Sequence, residues 1–277
     1  MGGAARSRFG YSLALPSSGE PTPSGTILFD MRAGGAQDLQ AMTTTAQVDA
    51  AFTATGGDFN DSQNLCTTAI DLNYNGSGKH AIRFDWLQNL SGSGPTGTDS
   101  TTLTYFHTPG PPSNPFCFSY IGHLGKTPTG GGLGSVGVFN PVDFTGGKKQ
   151  VLFYRANDDG TDRLYLVWPA QDPADQNFTW SIDGRNFNDE FLGIDFGVGV
   201  DVRWTYRLTA ASSSSASDGK IEVWRNGVKV IDEQHAAGGS PNGIGNLGFQ
   251  QVELCTTRRR VLQDESEYMT DLVAWKP

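Results

Sequence analysis

The stretch DGKIEVWRNGVKVIDE, Asp218 to Glu233, constrains the chain more than any other. Ile221 and Val223 alternate with Glu222 and Trp224, which is the period of a half-buried strand. Asn226-Gly227 follows, and both residue types tolerate positive φ, so the pair closes a tight two-residue hairpin. Val228 and Val230 then share one face of the return strand, with Lys229 and Ile231 on the other. A fold that begins from this unit must bury one face of an antiparallel ribbon and leave Trp224 near its turn.

The rest of the chain repeats the same period. TILFDM (Thr26 to Met31), KHAIRFDWLQ (Lys79 to Gln88), TTLTYFHT (Thr101 to Thr108, with Leu103 and Tyr105 on one face), FCFSYIG (Phe116 to Gly122), KQVLFYRA, DRLYLVWP, NFTWSIDG and VDVRWTYRLTAA (Val200 to Ala211) all read as strands. GNLGFQQVEL and YMTDLVAW complete the set. Asp38 to Phe52 is the one helix candidate, weakened by three consecutive threonines. Its second half, VDAAFTATGG, reads instead as a strand or a turn region. Many strands without intervening helices predict an all-β, two-sheet antiparallel sandwich of jelly-roll type. The expected organisation is an extended, proline-bearing arm over residues 1–25 and a single jelly-roll domain over 26–277, with a Gly-rich loop near 125–137. The 36 glycines and 14 prolines serve the loops of such a fold.

Charge and composition exclude several functions. A net charge of −9 repels nucleic-acid phosphates, so nucleic acid is not an expected partner. No apolar run is long enough to cross a bilayer. Three cysteines, Cys66, Cys117 and Cys255, are too few for a disulfide framework. Leu13 to Leu15 is too short for a signal-peptide core, so no export signal is expected. The expected location is a virion surface, or otherwise the cytoplasm, or an extracellular protein given without its leader.

The long Trp-bearing strand, the DG turn before Lys220 to Arg225, the NG turn after it, and the closing YMTDLVAW with Asp271 ahead of Leu272 and Val273 resemble the concanavalin-A-like jelly rolls. The resemblance is to the laminin-G-like and polysaccharide-lyase-like members and covers about residues 200–277. It implies two curved antiparallel sheets with a concave face that often holds glycans. One jelly roll hosts lectins, hydrolases, lyases and structural modules, so function must be argued from the site.

Alternation predicts that Val202, Trp204, Tyr206 and Leu208 pack between the sheets together with Ile221 and Val223. Arg203 and Arg207 then share the outer face with Glu222 and Trp224, and these four are the expected ligand-binding residues. An indole beside charged groups stacks on a sugar ring or on a neighbouring subunit. In the other reading Arg207 and Glu222 form a surface ion pair and Trp224 packs under a loop. Asp58, Asn60, Ser62 and Asn64 have the alternating oxygen spacing of a calcium loop, so Ca²⁺ is the cofactor they would take. Gln63 and Ala69 stand where an EF-hand needs its glycine and its last acid.

Catalytic signatures are sparse. The glucanase-type E-x-D-x-x-E arrangement is absent, and NDEFLGIDFG puts Glu190 and Asp195 on opposite faces of one strand. The lyase-like members imply a base and a carboxylate-neutralising group, but their Q-I-H or Q-V-H element is also absent. Arg83, His107 and Tyr105 form the one lyase grouping that can be assembled, and only with free choice of strand neighbours. The leading expectation is therefore a non-catalytic structural or recognition protein, such as a phage or viral capsid decoration, tail or fibre component, contacting glycans or neighbouring subunits as a homo-oligomer or assembly part. The alternative is a polysaccharide lyase acting on an acidic glycan.

Overall fold

The structure is a computed structural model, which describes residues 19–59, 62–63, 66–87, 100–102, 104–125, 130–139, 151–157, 163–170, 179–182, 185–186, 199–213, 215–236, 248–254, 257–258 and 264–277. In chain order its strands are β1 (Thr26–Asp30), β2 (Ser62–Gln63), β3 (Cys66–Tyr74), β4 (Lys79–Trp86), β5 (Ser100–Thr102), β6 (Thr104–His107), β7 (Phe116–Leu124), β8 (Gly130–Phe139) and β9 (Val151–Asn157). They continue with β10 (Arg163–Ala170), β11 (Thr179–Ile182), β12 (Arg185–Asn186), β13 (Asp201–Thr209), β14 (Gly219–Arg225), β15 (Val228–Ala236), β16 (Gln251–Leu254), β17 (Thr257–Arg258) and β18 (Glu265–Lys276). One large sheet runs β15-β14-β13-β7-β18-β4-β3, with β1 added beside β18. The second runs β12-β11-β10-β9-β8-β16-β6, and a small sheet joins β17, β5 and β2. Every pairing is antiparallel, as the alternating runs predict. Among the described residues no helix is long and apolar enough to cross a membrane.

The core lies where alternation places it. Val202, Trp204, Tyr206 and Leu208 from β13 meet Ile221 and Val223 from β14, Phe116, Phe118 and Tyr120 from β7, and Ile82, Phe84 and Trp86 from β4. Phe106, Val252 and Leu254 face them from the second sheet. Tyr120 and Tyr206 bury their hydroxyls against each other at 3.3 Å, which satisfies both polar atoms without water. The hairpin turns at Asn226 (φ 47) and Gly227 (φ 84), the positive-φ pair that a two-residue turn requires.

Three local expectations change. The first six residues of VDAAFTATGG are helix rather than strand, within α1 (Thr45–Thr53) after a short 3₁₀ turn at Leu39–Ala41, and the ATG that follows is the expected turn. The threonines that weakened the helix reading instead start it. Thr44 accepts from the backbone N–H of Gln47, and Gln47 Oε1 accepts from the N–H of Thr44, so a capping box closes the N-terminus. Val48 and Phe52 bury the helix against Phe29, Phe59 and Phe106. Second, the run TTLTYFHT is divided between β5 and β6, and Phe106 is the buried aromatic of β6, with Tyr105 on the other face. Third, much of the expected Gly-rich loop is strand: Gly130–Phe139 pairs with both β9 and β16, and its irregularity is confined to a register shift between Gly132 and Val136.

β18 carries a second irregularity. It pairs with β4 through Glu265–Met269 and with β1 through Val273–Lys276, while β7 runs along its other edge. A bulge between Thr270 and Val273 makes the switch, and Asp271 sits in it at φ 53.

Candidate functional site

The face of the large sheet turned away from the core carries many ionisable side chains among the described residues, and it divides into two ends. At one end four cross-strand neighbours form a lateral row. Arg83 on β4 pairs with Tyr268 on β18, Tyr268 with His123 on β7, and His123 with Asp201 on β13. Adjacent strands lie about 4.8 Å apart, so the row is the width of a few sugar rings. Tyr74 and Asn75, at the turn after β3, close over it. The Tyr74 ring packs edge-on to His123 at 5.4 Å and tilted on Tyr268 at 5.3 Å.

The hydrogen bonds order this row. His123 Nδ1 lies 3.0 Å from Asp201 Oδ1, and the Tyr74 hydroxyl donates to the same oxygen. The Asn75 amide lies 3.4 Å from the same imidazole nitrogen. The His123 and Tyr74 contacts hold the Asp201 carboxyl below its ordinary range, against a burial effect in the opposite direction. A carboxylate at Nδ1 fixes the proton there and leaves Nε2 with its lone pair. Neither Nε2 of His123 nor the hydroxyl of Tyr268 has a hydrogen-bond partner among the described residues. Arg83 donates from Nε to Asp85 at 2.8 Å and lies 4.0 Å from Asp71, with over a third of its side chain exposed. An imidazole oriented by a carboxylate, an unengaged phenol and a guanidinium in one row can move protons beside a bound anion.

The other end holds the four expected ligand-binding residues. Arg207 lies opposite Glu222 and Thr205 opposite Trp224, and all of them face away from the core, as alternation predicts. Trp224 nevertheless does not offer a stacking surface, because it is fully buried. Lys229 lies over its ring at 5.1 Å, and Glu20, from the segment before β1, accepts a hydrogen bond from Thr205 beside it. Glu222 is also buried and gathers Lys229 at 2.6 Å, Lys220 at 2.9 Å and Arg207 at 3.8 Å. Burial pushes its carboxyl up, but the lysine contacts outweigh that and hold it below its ordinary range. Arg203 reaches Asp271 at 3.4 Å and stays two-fifths exposed, as does Arg207. The expected patch is thus brought together, but as an ion-pair cluster over a covered indole. Cys117, Val273 and Trp275 form a further buried group on this outer face.

The lyase grouping of Arg83, His107 and Tyr105 does not assemble. Tyr105 and His107 stack edge-on at 5.5 Å on β6 of the second sheet, while Arg83 stands on the large sheet. Of the calcium expectation, Asn60 and Asn64 lie outside the described residues, as does the side chain of Ser62, and Asp58 bridges to Tyr105 through its backbone. Among the described residues no group of three or more His, Cys, Asp or Glu could hold a metal.

Sequence reasoning assigned no role to Tyr74, His123, Asp201 or Tyr268. The available signal was the parity of β7: His123 alternates against Phe116, Phe118 and Tyr120, so a titratable ring must leave the core face. Its partners come from strands far apart in sequence, which local alternation cannot join.

No protein-family model matches the chain, and no curated protein matches it. Solved structures do. The marine PL-14 alginate lyase from Aplysia kurodai superposes with a TM-score of 0.56 at 12% identity, over 91% of this chain and 100% of that one. The endo-beta-1,4-glucuronan lyase from the fungus Trichoderma reesei gives 0.53 at 14%, over 80% and 92%. An alginate lyase from Chlorella virus gives 0.52 at 14%, over 86% and 99%. The fold is therefore a jelly roll related to polysaccharide-lyase-like proteins, as the resemblance implied. The same comparisons overturn the leading functional expectation. Solved lyases share the fold along nearly its whole length, and the reading of a non-catalytic structural or virion component is withdrawn.

Proposed function

We propose that the chain is a polysaccharide lyase that cleaves an acidic glycan, a polyuronate, by β-elimination. The observation that carries this reading is the lateral row Arg83–Tyr268–His123–Asp201 on the open end of the large sheet. The likeness to alginate and glucuronan lyases supports it independently.

Each residue then has a role that its surroundings favour. Asp201 and Tyr74 are positioning residues, holding His123 with Nε2 toward the ligand. His123 removes the proton from the carbon beside the uronate carboxylate. The electron pair forms a carbon–carbon double bond to the next carbon, and the glycosidic oxygen leaves that carbon. Tyr268 gives the departing oxygen its proton. Arg83, with the Asn75 amide, offsets the charge that builds on the carboxylate as the proton is lost. No water is consumed, and the new chain end is an unsaturated uronate.

The test is incubation with alginate and with glucuronan while following the ultraviolet absorbance of the unsaturated product. Absorbance should rise with the parent protein and fail to rise with His123→Ala or Tyr268→Phe. No product from either polymer, or product formation indifferent to both substitutions, overturns the proposal.

A further inference from the structure

Two Asn-Gly pairs turn the chain at hairpins of the large sheet, Asn75-Gly76 after β3 and Asn226-Gly227 after β14, and all four residues have positive φ. An asparagine before a glycine is open to attack by its own backbone, because no Cβ on the second residue keeps that residue's nitrogen away from the amide carbon. What restrains the two pairs differs. Asn226 is anchored twice to β13: its Oδ1 accepts from the Arg203 N–H at 2.8 Å, and its own N–H donates to the Arg203 carbonyl at 2.8 Å. Gly227 beside it is buried. Asn75 and Gly76 are both exposed, and a Cβ at Gly76 would meet nothing within 4 Å. Among the described residues the Asn75 amide has one contact, 3.4 Å from His123 Nδ1, at the outer limit of a hydrogen bond. The Gly76 N–H donates to the Asn73 carbonyl of the same turn at 2.9 Å, a bond that local opening of an exposed turn releases.

We propose that Asn75-Gly76 is a self-modification site, at which deamidation sets a carboxylate against His123 and shuts the site down. The Gly76 nitrogen gives its proton to hydroxide and bonds to Asn75 Cγ. The bond from Cγ to Nδ2 breaks, and the amide nitrogen takes a proton from water and leaves as ammonia. Water then opens the succinimide at either carbonyl, giving aspartate or isoaspartate. One water is consumed and one ammonia released, and nothing is oxidised or reduced. The effect on turnover rests on the polyuronate reading above. An amide donor is lost beside His123 and Asp201, and the new negative charge opposes the charge that builds on the substrate carboxylate. The chain thus carries its own clock, which runs without a partner.

The experiment holds the full chain folded at mildly alkaline pH, samples it over days, and maps its peptides by mass, with isoaspartate scored by an isoaspartyl methyltransferase. Asn75 should convert about tenfold faster than Asn226, the worth of one net hydrogen bond that Asn226 must break first. In denaturant the two should convert alike. Asn75→Gln should keep its amide, because its longer side chain closes a less favourable ring. Equal rates at Asn75 and Asn226 in the folded chain, or no conversion of Asn75 there while the denatured chain converts, overturn the site. Turnover of alginate and glucuronan on the same samples should fall in proportion to the converted fraction. Asn75→Asp should turn over at least about tenfold more slowly than the parent, while its melting transition shows a folded protein. Parent-like turnover by Asn75→Asp overturns the shutdown. If Asn75 converts and the fresh chain cleaves neither polymer, the modification site stands and the lyase reading falls. If the fresh chain makes unsaturated product and Asn75 does not convert, the lyase reading stands and the modification site falls.

Discussion

His123 and Asp201 stand on the same face of β7 and β13 as Ser119 and Thr205, yet the two pairs have opposite surroundings. At the His123 end the charged rim meets solvent, with Asp71, Asp85, Asp201 and Arg83 keeping between 24% and 37% of their side chains exposed, while His123 and Tyr74 themselves are buried. At the Ser119 end the face is covered, and Cys117, Trp224, Val273 and Trp275 are all fully buried. Both ends hold a carboxyl below its ordinary range, but by different means. Asp201 is held chiefly by hydrogen bonds from His123 and Tyr74, and Glu222 by two lysines. The contrast teaches that alternation decides which face a side chain occupies, while chain arriving from elsewhere decides whether that face meets solvent.

Substitutions at the two ends should therefore fail in different ways. The largest expected effect on turnover is that of His123→Ala, which should lower it about 10²- to 10⁴-fold, the usual worth of a positioned general base, while the melting temperature falls only by the loss of one buried hydrogen-bonded ring and the protein stays folded. Trp224→Ala should do the reverse. Truncating a fully buried indole costs about 3–5 kcal/mol in denaturant unfolding, and the surviving folded fraction should turn over normally. A Trp224→Ala protein as stable as the parent but unable to bind glycan would erase the distinction between the ends.

Acidification sharpens it. A carboxyl held lower in the folded than in the unfolded chain stabilises above the unfolded value, about 3.9 for Asp and 4.3 for Glu. That stability is lost as pH falls through the lower folded value. Asp201→Asn and Glu222→Gln should both melt below the parent at neutral pH, and both deficits should close on acidification through that window. For Glu222→Gln the neutral-pH cost should be about 1.5–3 kcal/mol, typical of hydrogen bonds to charged groups. Raising salt to about 1 M should shrink the Glu222 deficit more, because its partners are full charges at a partly exposed edge. Equal salt sensitivity would mean that the two carboxyls are held alike. The smallest effect concerns Cys117, whose thiol burial pushes up to about 12. Native protein at mildly alkaline pH should take up the same equivalents of iodoacetamide as Cys117→Ser. Faster labelling of the parent would show that the covered end opens.

Much of the sandwich was legible from residue order. The NG hairpin and the inward set Val202, Trp204, Tyr206, Leu208, Ile221 and Val223 need only the period of a strand and a turn that admits positive φ. The helix at Thr45–Thr53 was obscured because threonine disfavours helix interiors, and its value as a cap shows only when Thr44 is read together with Gln47. The site was far less legible. Arg83, Tyr268, His123 and Asp201 meet only through the strand order β13-β7-β18-β4, which no local pattern specifies. Trp224 misled for the opposite reason, since its face was right but Lys229 lies over its ring and the indole is fully buried.

The place of β18 has a consequence for how the molecule comes into being. It follows every other strand in the sequence, but it lies between β7 and β4 in the middle of the large sheet. As the chain leaves the ribosome, β3 and β4 can pair, and β7, β13, β14 and β15 can pair, as two ribbons with bare edges. Neither ribbon can join the other until β18 emerges and zips between them. The row Arg83–Tyr268–His123–Asp201 cannot exist before that moment, because Tyr268 is on the zipper. Until then each ribbon offers an unpaired edge to any passing chain, and chaperone binding during synthesis should concentrate on species that lack β18.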